Sequence, residues 1–187
     1  MKIAWGITGS GDKMIETINV MKALKEAYPE LGVEVFLSKA GATVAKYYRI
    51  EEELRDSFDK VWREVDANTP FLAARLQLGE FMFMLIAPAT SNTVAKLAVG
   101  VADTLLTNAA LQAVKGYVPL YIMPVDYREG EIITTLPNGR KLRLRVRKED
   151  AENVAKLDAM EGIHTFEFPD MIPAILEEHL KKEDGLD

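Results

Sequence analysis

The fold of this 187-residue chain is decided by the stretch Ala87-Pro88-Ala89-Thr90-Ser91-Asn92-Thr93-Val94-Ala95-Lys96. It follows the apolar run Phe-Met-Phe-Met-Leu-Ile at 81–86, which is typical of a buried parallel strand. Four small polar residues, 90–93, then begin a helix. The first amides of a helix lack partners and carry partial positive charge. A strand end that leads into such a helix is where open α/β sheets bind ligands.

Two further strand ends deliver hydroxyl groups to the same predicted edge. A strand at 2–7 is followed by Thr8-Gly9-Ser10-Gly11, and a strand at 33–37 by Ser38. The loop after the first strand has neither the dinucleotide spacing G-x-G-x-x-G nor the G-K-[ST] of a Walker loop. Ser38 or Thr90 alone is readily explained as an ordinary N-cap. Three hydroxyl-bearing strand ends at one edge favour a phosphate-bearing ligand, since helix N-termini bind such anions.

Strands that alternate with helices predict an α/β fold with a doubly wound, parallel, flavodoxin-like or Rossmann-like sheet between two helical layers. We expect one domain over 1–187. Asn138-Gly139 between two strand patterns predicts a β-hairpin inserted at about 131–146. Further helices are predicted at about 14–28, 42–48, 51–66, 91 onward, 102–115, 149–161 and 170–182. Further strands are predicted at 117–123 and 163–168, and a loop is predicted at 70–79.

The motifs resemble those of the homo-oligomeric flavin-containing Cys decarboxylase (HFCD) family of flavoproteins. The family's P-A-S-A-N-T is similar to residues 88–93, and its A-D-N-L-L-T is similar to residues 102–107. The G-x-T-G-S at 6–10 and the Ser-Lys-Ala at 38–40 also match. With Met-Pro-Val-Asp at 123–126, the chain most resembles the archaeoflavoprotein and dihydromethanopterin reductase-like subgroup.

This resemblance implies noncovalently bound FMN near a subunit interface of a homo-oligomer, with a trimer favoured. It implies a phosphate held by the loop after the first strand and by Ser38, and a ribityl chain and ring met by residues of the central motif. Candidate interface aromatics are Tyr47, Tyr48 and Trp62. The candidate cofactor-binding residues are Thr8, Gly9, Ser10, Gly11, Ser38, Ala87, Thr90, Ser91, Asn92 and Thr93.

Departures from the family bear on activity. The decarboxylases use a histidine before their third strand, but this chain has only His164 and His179. Their substrate clasp is absent from 119–127, as is the R-E-x-P element of the prenyltransferases. We therefore expect no cysteine decarboxylation and no catalytic side chain, because the cofactor carries the chemistry. The leading prediction is that the chain is an electron-transfer flavoprotein. The alternatives are a flavin-dependent dihydropterin reductase and a non-catalytic assembly subunit.

Composition and charge limit the kinds of ligand and partner that the chain could bind. The chain has no cysteine, which excludes disulfides, thiolate metal ligands and iron–sulfur ligation within it. Its net charge of −6 argues against nucleic-acid binding, and without a long apolar run or signal peptide we expect a cytoplasmic protein. Six basic residues nevertheless fall within 140–148. They indicate either a solvated hairpin face that protects an edge strand or a dock for an acidic electron carrier such as ferredoxin.

Overall fold

A computed structural model of the chain describes residues 1–136 and 138–183. No helix within those residues is both long and apolar enough to cross a membrane. The strands are β1 (Lys2–Ile7), β2 (Gly32–Leu37), β3 (Lys60–Arg63), β4 (Phe83–Ala89), β5 (Leu120–Pro124), β6 (Gly130–Thr135), β7 (Lys141–Val146) and β8 (Ile163–Thr165). The helices are α1 (Met14–Ala27), α2 (Lys39–Tyr47), α3 (Glu51–Ser57), α4 (Leu72–Gln77), α5 (Ser91–Ala98), α6 (Leu105–Lys115), α7 (Lys148–Asp158) and α8 (Ile172–Glu183), the last preceded by a 3-10 turn, Pro169–Met171.

Six parallel strands form the central sheet in the order β3-β2-β1-β4-β5-β8. The order reverses direction between β1 and β4, which makes the gap beyond their carboxyl ends the topological switch point of the sheet. Buried side chains from α1, α2, α3 and α8 cover one face, and those from α4, α5, α6 and α7 cover the other. The predicted three-layer, doubly wound α/β fold is therefore confirmed.

The predicted hairpin is also present. Strands β6 and β7 pair antiparallel as a separate two-stranded sheet. At the turn, Gly139 has a φ of 80° and the Asn138 side chain accepts a hydrogen bond from the Arg140 amide at 3.0 Å. Pro137, within the predicted turn, lies outside the described residues. The hairpin is thus an appendage that leaves the hydrogen bonds of the central sheet intact.

Two predicted elements were wrong. The helix expected at 51–66 ends at Ser57, and residues 60–63 form β3, a short edge strand. The carboxylate of Asp59 accepts the Val33 amide at 2.6 Å and so fixes the start of this strand against β2. The loop expected at 70–79 contains α4, whose buried residues Leu72 and Leu76 face the core.

A buried carboxylate secures α4 to the sheet. Glu34 on β2 is only 2% exposed and accepts two hydrogen bonds from the Arg75 guanidinium, at 2.8 and 2.9 Å. Trp62 and Lys2 also donate to it, at 2.7 and 3.1 Å. Burial acts to raise the pKa of Glu34, but hydrogen bonds from Arg75, Trp62 and Lys2 outweigh it and lower the pKa to about 2. Trp62 therefore has a structural task in this network.

Candidate functional site

The loops that follow β1, β2 and β4 meet at the switch point. Thr8 joins two of them: its hydroxyl donates to the Pro88 carbonyl at 2.8 Å and accepts the Thr90 amide at 2.9 Å. The Ser38 amide, after β2, donates to the Ile7 carbonyl at 3.1 Å. The structure thus brings together the three strand ends that the sequence singled out. Thr8 is only 2% exposed, and its hydroxyl holds two of these loops together.

Two glycines let the loop after β1 lie close to α2 and its C-cap. A Cβ on Gly9 would come within 2.6 Å of the Ala40 Cβ, and one on Gly11 would come within 2.1 Å of the Tyr48 hydroxyl oxygen. The amides of Gly9, Ser10 and Gly11 have no acceptor among the described residues. The loop is therefore a close-packed cradle that offers several unpaired amide donors.

Two helix N-termini point into the same region. Ser38 caps α2 by accepting the Gly41 amide at 2.9 Å, and Thr90 caps α5 by accepting the Thr93 amide at 3.3 Å. Thr93 is nearly buried and its hydroxyl lies 3.1 Å from that of Thr90. Both residues are therefore genuine N-caps. The helix dipoles add partial positive charge beside the unpaired loop amides.

The remaining residues of the central motif differ in accessibility. Ala87 is fully buried, and its carbonyl accepts the Trp5 indole N–H at 2.7 Å, so its side chain belongs to the core. Ser91 is half-buried and donates to the Asp126 carboxylate after β5, whereas Asn92 is exposed. Ser91 and Asn92 are thus the accessible polar groups at the start of α5.

Sequence reasoning missed Glu64, which follows β3. One of its carboxylate oxygens accepts the Lys39 amide at 2.9 Å and the other accepts the Leu105 amide at 3.2 Å. The carboxylate therefore joins the N-termini of α2 and α6. Recognising β3 as a strand was the signal that would have placed Glu64 at this edge. Beside it, Thr104 caps α6 in a reciprocal arrangement with Thr107, within the second family motif.

Asp12 is a second acidic group at the site that sequence reasoning did not single out. Burial raises the pKa of its carboxyl, Glu16 and Asp126 raise it further, and Lys13 opposes them. The Asp12 amide donates to the Ser10 hydroxyl at 3.2 Å. Asp12 is therefore fixed to the loop that carries the unpaired amides.

The arrangement suits an anion held by amides and helix dipoles. Within residues 1–136 and 138–183, no three His, Asp or Glu side chains form a group that could hold a metal ion. Unpaired amides at a glycine-rich turn and two helix starts are the donors that phosphate groups use in such folds.

Known proteins share this architecture. A sequence profile of the Flavoprotein family matches residues 1–173. An uncharacterized protein of Methanocaldococcus jannaschii is 46% identical over 97% of both chains. A dihydromethanopterin reductase (acceptor) from the same organism is 32% identical, over 90% of this chain and 93% of the relative. The crystal structure of Burkholderia xenovorans DmrB in complex with FMN, described as a cubic protein cage for redox transfer, superposes with a TM-score of 0.82 at 34% identity, over 98% of this chain and 97% of the other.

Proposed function

Because the chain belongs to the Flavoprotein family, we propose that it binds FMN noncovalently and acts in flavin-dependent electron transfer. The observation that carries this proposal is the junction of three strand ends at the switch point, where Thr8 ties β1 to β4. It supplies anion-binding donors without a dinucleotide motif. A mononucleotide with one terminal phosphate fits that donor set, and FMN is the ligand of the similar DmrB structure.

The residues divide between the two ends of FMN. We assign the phosphate to the amides of Gly9, Ser10 and Gly11, which have no acceptor among the described residues, and to the positive end of the α2 dipole at Ser38. We assign the ribityl chain and the ring of FMN to the start of α5, where the side chains of Ser91 and Asn92 are accessible. In this assignment the wall behind these groups is formed by the less accessible residues Thr8, Ala87, Thr90 and Thr93. When bound, FMN supplies one- or two-electron redox chemistry.

The working form in this proposal is a homo-oligomer. The similar DmrB forms a cubic cage, and a cube has threefold axes, so a trimer is compatible with such an assembly. Tyr47 is 59% exposed and packs edge-to-face on Tyr48, which lies against the cradle at Gly11. An aromatic residue exposed beside the cofactor loop fits an interface there, since aromatic residues are enriched in interface cores.

The electron donor is proposed to be an acidic, ferredoxin-like protein that docks on the hairpin. Lys141, Arg143 and Arg145 are exposed on one face of β7. Arg143 pairs with Glu131 across the hairpin, while Lys141 and Arg145 make no ion pair within the described residues. These two free cations are the part of the face most able to attract an acidic partner.

A second candidate function is direct reduction of a dihydropterin. It is favoured by the relative named dihydromethanopterin reductase, which aligns over nearly its whole length. In this case the electrons leave the flavin for a small molecule rather than for a protein.

The decisive experiment is an absorption spectrum of the purified protein, followed by mass spectrometry of the chromophore released on denaturation. We expect flavin bands, the mass of FMN, one FMN per chain after loading, and a homo-oligomer by light scattering. A colourless protein that cannot be loaded with FMN would contradict the proposal and favour a non-catalytic assembly subunit. A stable monomer that retains FMN fully would contradict the interface placement.

A further inference from the structure

An open cavity of about 370 Å³ lies at the edge of the sheet opposite to the switch point. We call it the amino-edge cavity, because its lining includes Pro119 and Gly162, the residues that immediately precede β5 and β8. Val114 and Val118 supply apolar walls, and the exposed His164 supplies a polar one. The volume matches that of the smaller ligand pockets, about 300–1,000 Å³. The cavity is therefore large enough to hold one aromatic side chain.

Tyr117 projects into solvent at the rim of this cavity, with 95% of its surface exposed. Its backbone has a φ of 59°, in the left-handed region that favours glycine. The end of α6 fixes this conformation: the Tyr117 amide donates to the Val114 carbonyl at 3.1 Å, and the Val118 amide donates to the Ala113 carbonyl at 2.9 Å. A solvated aromatic side chain thus stands where glycine would be less strained. Strained positions of this kind cluster at functional sites.

We infer that the amino-edge cavity of one copy of the chain receives the Tyr117 side chain of a second copy, in a reciprocal contact about a two-fold axis. The inference rests on the homo-oligomer of the proposed function and adds a contact that involves neither FMN nor the hairpin. In a two-fold contact the same patch serves both copies, which requires a projecting group and its receptor on one face. Tyr117 and the cavity that it borders meet this requirement.

Two charges at the cavity support a second copy as the occupant. Lys115 belongs to the segment that carries Tyr117, whereas Glu161 belongs to the segment that leads into β8. Neither makes an ion pair within residues 1–136 and 138–183. When Tyr117 of one copy enters the cavity of the other, the Lys115 ammonium approaches Glu161 of the partner subunit. The two-fold axis repeats this pair, so the contact is complementary in charge at both ends.

The cavity also offers a partner for the phenol hydroxyl. The His164 ring stacks on the Tyr121 ring with centroids 5.0 Å apart, which holds it at the cavity wall. Its nitrogens make no hydrogen bond within the part of the chain that the structure describes. Tyrosine hydroxyls usually find a hydrogen-bond partner when they are buried. A tyrosine that fills a desolvated pocket is typical of the residues that dominate interface energies, so we assign Tyr117 as the anchor of this contact.

The test measures the mass of the full chain loaded with FMN, by light scattering and sedimentation velocity. Each copy pairs with one other across the two-fold axis, so we expect the wild-type assembly to contain an even number of chains. Tyr117→Gly suits the backbone at this position, and we expect its concentration at half-assembly to rise at least about tenfold. Tyr117→Phe keeps the ring and should weaken assembly less. Undiminished assembly of Tyr117→Gly, or an odd number of chains in the wild type, would overturn the inference.

Charge reversals identify the two surfaces that meet. Lys115→Glu and Glu161→Lys each place like charges across the axis, so each variant alone should assemble more weakly than the wild type. When the two variants are mixed, opposite charges meet at both ends of the contact, and the mixture should assemble nearly as the wild type does. Lys60→Glu, an exposed reversal on the strand at the other end of the sheet, is the matched control and should not change assembly. A mixture no better assembled than its components would contradict the pairing.

Failure of this inference and failure of the proposed function give different results. A protein that binds FMN as a trimer, with no larger assembly, contradicts the inference alone. An even-numbered assembly that cannot be loaded with FMN contradicts the proposed function alone, because FMN content is measured separately from mass.

Discussion

Thr90 donates its amide to the hydroxyl of Thr8 at 2.9 Å, and this bond joins the loops after β1 and β4 where the order of the sheet reverses. The same hydroxyl donates to the Pro88 carbonyl, so a buried side chain closes the floor of the crevice at the switch point. The loop after β1 and the start of α5 are therefore held in a fixed relation by a buried group that need not contact a ligand.

The first prediction follows from that bond. Thr8→Val keeps the shape of the side chain but leaves the Thr90 amide without its acceptor, and we expect the free energy of unfolding to fall by about 1–3 kcal/mol. Urea denaturation monitored by circular dichroism measures it. Thr43→Val, at an exposed position on α2, is the matched control and should change stability by less than about 0.5 kcal/mol. Equal stabilities of the two variants would contradict the bracing role.

The second prediction concerns the phosphate. Aspartate is as good an N-cap as serine, so Ser38→Asp should preserve the start of α2 while it places a negative charge beside the phosphate. We expect FMN affinity to fall at least about tenfold, the effect of about 1.4 kcal/mol of repulsion. Fluorescence titration with FMN measures the change. Ser38→Asn, which caps without charge, should bind FMN nearly as the wild type does. Undiminished FMN affinity in Ser38→Asp would contradict the assignment of the phosphate to this position.

The third prediction is a pH dependence. The folded-state pKa of Glu34 is about 2, below the ordinary value of 4.5, so its ion pairs stabilise the fold fully above the unfolded pKa. That stabilisation is lost as the pH falls from about 5 towards 2. Glu34→Gln should cost about 3 kcal/mol at pH 7, because it leaves Arg75 without its buried partner.

Chemical denaturation across pH 7 to 3 measures both effects. The wild type should lose stability towards acid more steeply than Glu34→Gln. The exposed pair of Lys148 and Glu152 provides a control, since Glu152→Gln should leave both the stability and its pH profile nearly unchanged. Parallel profiles for the wild type and Glu34→Gln would show that other carboxylates dominate acid unfolding.

The fourth prediction is an inactivity. We expect no release of carbon dioxide above background from phosphopantothenoylcysteine or from a peptide ending in cysteine. The reason is that residues 39–80 contain no histidine to act as the acid or base. An authentic cysteine decarboxylase assayed in parallel is the positive control. Turnover by the FMN-loaded chain would show that another residue replaces the histidine.

The fifth prediction concerns the hairpin. Replacing Lys141 and Arg145 by Gln should slow flavin reduction by ferredoxin about tenfold at low salt and flatten the salt dependence, because steering between opposite charges is screened by salt. Stopped-flow absorbance measures the rate. Reduction by dithionite should change little. Lys148→Gln, which removes a cation already paired with Glu152, is the matched control. If the double variant is reduced by ferredoxin at the wild-type rate across the salt series, the hairpin face is only a solvated edge and not a docking site.

The sequence predicted the elements that have strong local patterns. Buried strands such as β4 are continuous apolar runs, and small polar residues mark where α5 begins. The alternation of strands and helices predicted a parallel, doubly wound sheet, in which the carboxyl ends of the strands lie at one edge. The convergence of Ser10, Ser38 and Thr90 was thereby predictable before any coordinates.

Sequence patterns could not reveal features fixed by distant partners. Strand β3 is four residues long with charged ends, so it resembles the helix before it. Helix α4 is secured by a bond between Arg75 and Glu34, which are 41 residues apart. Glu64 was missed for the same reason, since its two amide donors lie in α2 and α6. In each case tertiary contacts outweigh local preference.

The hairpin of β6 and β7 shares no ladder with the central sheet, and its cationic face is exposed to solvent. Substitutions on that face leave the core packing and the sheet hydrogen bonds untouched. Under the docking proposal, partner choice and cofactor binding are therefore encoded in separable parts of the chain. Duplicated copies could then acquire different redox partners through changes in a few hairpin codons while selection preserves the switch point.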